Sequence, residues 1–125
     1  MKTKDVELFD RFYSQIDSLY AEIGVLSKKS PNDVVNKFKL KFINTALEEA
    51  NKILKEKYKP FEDFETFEED NLPTNSDVTL ILAQYLSSLE ELRAANISVE
   101  YGDWYWVIDG RRSKIETYPP KKLRG

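Results

Sequence analysis

The apolar residues of this chain change period once, near residue 96, and that change constrains the fold more than any other feature. Upstream, apolar side chains recur at three- and four-residue steps, the spacing of one face of a helix. Downstream, Ile97, Val99 and Tyr101 alternate with polar residues, as on a half-buried strand. Helices followed by strands in separate blocks predict an α+β domain with an antiparallel sheet, because parallel strands would need helical crossovers between them. At 125 residues, a single domain with its own core is expected.

The first helix is predicted over about residues 4–27, on Phe9, Phe12, Tyr13, Ile16, Leu19, Tyr20, Ile23 and Leu26. Ser30-Pro31-Asn32-Asp33 then reads as a helix start: Ser30 caps, Pro31 suits the first turn, and Asp33 favours the positive end of the dipole. This second helix is expected to run to about Lys57. Its apolar set, Val35, Phe38, Leu40, Phe42, Ile43, Ala46, Leu47, Ala50, Ile53 and Leu54, covers about half the circumference, which predicts a central helix contacted from two sides. Lys39 falls inside that arc and must either snorkel its stem outward or pair with a carboxylate.

Residues 58–76 form a long connection. Phe61, Phe64 and Phe67 recur every third residue, and a short helical turn opened by Pro60 is expected to pin them onto the core. Between them lies an acidic ridge of Glu62, Asp63, Glu65, Glu68, Glu69 and Asp70. A third helix is expected over about 77–95, capped by Ser76, with Val78, Ile81, Leu82, Tyr85, Leu89 and Leu92 inward. A β-hairpin or three-stranded meander over 96–118 follows. Gly102-Asp103 is the first expected turn, which sets Tyr101 opposite Trp104, and Asp109-Gly110 the second. Ile97, Val99, Tyr101, Trp104, Trp106 and Ile108 then share one apolar face, which Ile115 and Thr117 continue. Residues 119–125 read as a basic tail, in which Pro119-Pro120 ends the sheet and Lys121 to Gly125 are expected to be loose.

Composition bears on function by what it lacks. There is no histidine and no cysteine, which removes the side chain that titrates near neutral pH, the thiolate nucleophile and the ordinary zinc ligands. No glycine-rich phosphate loop occurs, and no acidic residue is followed two positions later by lysine, as carboxylate–metal nucleases often require. Asp70 to Asp77 departs from the calcium-loop pattern, with no glycine at the turn and a proline inside. The expectation is a protein without catalytic residues, cofactor or metal. The absence of cysteine, and an N-terminus that enters a charged amphipathic pattern rather than an apolar stretch, predict a cytoplasmic setting without a membrane segment.

Charge is polarised along the chain. Residues 58–103 carry eleven acidic and two basic side chains, whereas residues 104–125 carry six basic and two acidic ones. Such polarity steers partners. The expected function is protein–protein binding, of the inhibitor or immunity type, with the acidic ridge meeting a basic protein target. An alternative is binding of single-stranded nucleic acid by Tyr105, Arg111, Arg112, Lys114 and Tyr118 on the C-terminal hairpin. A third is a structural or self-associating subunit that uses part of the wide apolar arc of the second helix.

Overall fold

A computed structural model describes residues 1–121. Three helices, α1 (Thr3–Lys29), α2 (Lys37–Tyr58) and α3 (Asn75–Ala94), precede a sheet of β1 (Ile97–Glu100), β2 (Asp103–Ile108) and β3 (Arg111–Thr117). The strands pair antiparallel in the order β1-β2-β3, so the α+β reading holds. Among the described residues, no helix is long and apolar enough to cross a membrane.

The helices bury most of the faces their periodicity implies, though Tyr20 of α1 stays exposed. Val6, Phe9, Phe12, Ile16 and Ile23 of α1 meet Leu40, Ile43, Leu47, Ala50 and Leu54 of α2 and Val78, Leu82, Tyr85 and Leu89 of α3 in one core. The sheet joins that core through Trp106, which has no exposed surface and meets Phe9 edge-on at 5.1 Å. Burying a side chain of this size removes enough apolar surface to contribute about 3 kcal/mol.

Several boundaries differ from the sequence expectation. Ser30 closes α1 rather than opening α2, and α2 begins at Lys37 behind Asn36, whose side chain accepts the Lys39 amide at 2.8 Å. The reason is tertiary: residues 31–35 lie against residues 73–76. Val35 donates its amide to Pro73, and Asp33 and Pro31 accept from Asn75 and Ser76. Backbone groups used across that contact are not available to a helical turn. The cap of α3 is Thr74, not Ser76, because Thr74 and Asp77 have the spacing of a reciprocal capping box (bonds of 3.2 and 3.0 Å). The short helical turn lies at Glu69–Asn71, beyond the phenylalanines instead of among them.

In the first hairpin, Tyr101 does not face Trp104. Glu100 pairs with Asp103, and Tyr101-Gly102 forms the turn with φ of 51° and 83°. A turn that follows the strand twist needs both central residues at positive φ, and glycine takes the second place more readily than Asp103 would. Val99 now faces Trp104 and Ile97 faces Trp106. The register moves by an even step, so the alternation of faces survives, but Tyr101 stands 97 % exposed and Val99, expected on the inner face, 51 % exposed. Asp109-Gly110 forms the second turn as expected, again with both φ positive.

Burial is also distributed differently. α3, rather than α2, is the most enclosed helix, with Leu86, Ser88, Glu90 and Arg93 buried in addition to its expected face. Phe38 and Phe42 of α2 remain outside, at 72 % and 51 % exposure. Lys39 takes an intermediate course: its side chain is 32 % exposed and reaches Glu22 of α1 at 3.5 Å.

The end of the chain is held by the buried pair of α3. Arg93 forms a two-pronged contact with Glu90, Nε to Oε1 at 2.8 Å and Nη2 to Oε2 at 2.6 Å. Its remaining N–H groups donate to the Thr117 hydroxyl and to the Tyr118 and Pro119 carbonyls, and the Lys121 amide donates to Glu90. The Tyr118 ring stacks 3.7 Å from the guanidinium carbon. Residues 119–121 are therefore strapped to α3, so Lys121 is not loose as expected; residues 122–125 of the expected tail lie outside the described residues.

Arg93→Met strands the Glu90 carboxylate and three strap acceptors, and should lower stability by about 3–5 kcal/mol. Glu90→Leu combined with Arg93→Met should recover part of that loss, as read by urea denaturation. Lys55, with φ of 56° and ψ of −166°, interrupts α2 in a region that glycine alone enters at ease. Lys55→Gly should raise the denaturation midpoint, with a net gain of about 1 kcal/mol after its extra unfolded-state entropy.

Candidate functional site

The acidic connection is a shaped surface built on the flank of α2. Asn44 and Asn51 stand seven residues apart, two turns on the same side of the helix. Asn44 binds the Phe67 backbone in both directions, Nδ2 to the carbonyl and Oδ1 from the amide, each at 2.9 Å. Asn51 donates to the Glu65 carbonyl at 2.9 Å and accepts the Tyr85 hydroxyl at 2.7 Å. Burial raises the pKa of the Tyr85 phenol, which keeps it the donor. Beneath the backbone the expected aromatic row is present. Phe64 packs edge-on to Phe61, Phe67 and Tyr85, with ring centres 6.2, 5.0 and 6.4 Å away.

With its backbone bound and its phenylalanines inward, the segment turns its carboxylates to solvent. Two of the six are engaged within the chain. Glu65 meets Lys59 at 2.8 Å, and Glu69 meets Lys37 at 3.0 Å. The Lys59 side chain is only 8 % exposed, and its hydrogen bond to Glu65 raises the ammonium pKa. Glu62, Asp63, Glu68 and Asp70 are exposed and have no ion-pair partner among the described residues. Among those residues, no three carboxylates gather closely enough to hold a metal ion. The ridge is thus an array of separate negative charges on a segment hydrogen-bonded to α2. Its chemistry is electrostatic attraction and hydrogen-bond acceptance.

The residues of the nucleic-acid reading are dispersed. Tyr105 and Arg112 share the outer sheet face, with the guanidinium 5.7 Å from the ring centre, but Arg112 is ion-paired with Glu100 and Tyr105 lies opposite Glu116. Lys114 sits in an irregular stretch where residues 113–115 oppose the single residue Trp106. Arg111 pairs across from Ile108 beside the second turn, on the other face. Tyr118 lies beyond the sheet, under Arg93.

Sequence reasoning located the acidic ridge but not what holds it. The available signal was the Asn44–Asn51 spacing, a polar pair two turns apart beside an apolar arc. The Glu90–Arg93 pair carried less signal, because a glutamate three residues before an arginine is common on exposed helices.

Asn44→Ala leaves both backbone groups of Phe67 without their partner and should cost about 1–3 kcal/mol. The Phe67 amide should also lose most of its hydrogen-exchange protection while the amides of α3 keep theirs. Native-state exchange followed by NMR distinguishes this local release from global destabilisation.

Comparison with protein-family models, with curated proteins and with solved structures returns no match, so the functional reading rests on this arrangement of residues alone.

Proposed function

We propose that this chain is a non-enzymatic, cytoplasmic protein-binding domain, an inhibitor or immunity-type protein whose acidic ridge docks on a basic surface of its target. The observation that carries the reading is the preorganisation of the ridge. A loop stapled at Phe67 and Glu65 by two helix side chains loses little further freedom when it binds, so more of its electrostatic attraction remains as affinity. Separate surface carboxylates also accelerate encounter with a positively charged partner.

The roles within the ridge divide. Glu62, Asp63, Glu68 and Asp70 face the target, while Glu65 and Glu69 hold the segment in shape through Lys59 and Lys37. The partner is a protein with lysines or arginines grouped on one face, which an acidic ridge discriminates from neutral surfaces by long-range attraction.

The test is a comparison of two variants against the protein captured by the wild-type chain at low salt. Neutralising Glu62, Asp63, Glu68 and Asp70 to their amides or to serine should weaken binding about tenfold or more, chiefly in the association rate, with the denaturation midpoint nearly unchanged. Glu65→Gln should affect local stability more than association. Unchanged affinity in the four-residue variant would remove the ridge from the interface. Co-purification of nucleic acid released by salt would favour the hairpin instead.

A further inference from the structure

One face of α2 is left bare by the rest of the chain. α1 covers one flank and the acidic connection the other, and an arc centred on Thr45 faces solvent. On it Phe38 and Phe42 meet edge-on, 5.0 Å apart, both more than half exposed. Two largely uncovered aromatic rings on adjacent turns keep apolar surface in water that association would remove.

Most charges around the rings are matched within the chain: Lys37 with Glu69, Lys39 with Glu22, and Lys52 with Glu49. Lys41 and Glu48 are exposed and have no ion-pair partner among the described residues. At a rise of about 1.5 Å per residue they lie about 10 Å apart along the axis, too far to pair with each other. They stand on the same side of the arc, four residues before and three after Thr45. That is a self-complementary arrangement under a two-fold axis, as an isologous interface demands.

We propose that two copies of this chain pair antiparallel through the outer face of α2, about a two-fold axis beside Thr45. Reversing the helix direction about that axis keeps each side of the arc on its own side. Lys41 therefore meets Glu48 of the partner subunit, and Glu48 meets Lys41 of the partner subunit. Phe38 and Phe42 come against the methylene stems of Lys52 and Glu49 of the partner subunit, which covers the rings. Thr45 is small enough to let the axes approach. The acidic ridge stays at the edge of this interface, so the inference stands independently of target binding.

The experiment uses the purified full chain alone, by sedimentation equilibrium over a wide concentration range. The expected mass is twice the 14.6 kDa of one chain. Lys41→Glu and Glu48→Lys should each raise the dimer dissociation constant about tenfold or more, and the double reversal should restore it, because the pair is formed twice with exchanged signs. Phe38→Ser with Phe42→Ser should give a monomer with unchanged helical circular dichroism, since neither ring supports the core. A wild-type monomer at the highest soluble concentration overturns the proposal. So does a dimer that survives the phenylalanine replacements, or one that both single reversals weaken but the double reversal does not rescue.

Discussion

Removing a guanidinium from water costs several kcal/mol unless its N–H groups all find acceptors, and Arg93 has no exposed surface. Its surroundings therefore have to supply a carboxylate, a hydroxyl and two carbonyls together. Glu90 provides the charge from one turn away on the same helix. The other three acceptors come from residues 117–119, at the end of β3 and just beyond it. This requirement fixes where β3 ends and which way the chain leaves it. It also explains why Glu90 and Arg93 of α3 are buried, while Asp77, Leu80, Gln84 and Glu91 keep an exposed stripe along the same helix.

The same economy of polar groups recurs around the acidic connection. A loop laid against a helix needs partners for its backbone, since a buried unpaired amide is costly. Asn44 supplies them by acting as both donor and acceptor to one residue, as a neighbouring strand would. Asn51 links the loop outward and Tyr85 inward. Both asparagines lie on the flank of α2, and this placement leaves the outer face of that helix uncovered. The shape of the acidic ridge and the bareness of Phe38 and Phe42 thus have a common cause.

Binding is a natural use for such a body. Its polar groups are satisfied, and no buried side-chain nitrogen or oxygen among the described residues lacks a hydrogen-bond partner. Among the described residues, the uncommitted surface groups include four carboxylates on the stapled connection and, on the outer face of α2, the unmatched Lys41 and Glu48. Surface groups of this kind cost little to the isolated chain, and their free energy is available to association.

Local periodicity by itself determined the element types, their order and most of the core. Phe9, Ile16, Ile43, Leu47, Leu82 and Leu89 are buried where helical spacing puts them, and the alternation after residue 96 gave the meander its inner face, because both periods follow from backbone geometry that needs no neighbour. It also located the acidic ridge, since clustered charge is a property of composition. Tertiary structure alone decided the start of α2, where pairing with residues 73–76 took the backbone groups a helix would have used. It alone seated Arg93 among acceptors from a segment more than twenty residues away, and it alone left Phe38 and Phe42 exposed. These features depend on which distant groups satisfy or cover which others, and the spacing of residues along one element carries no record of that.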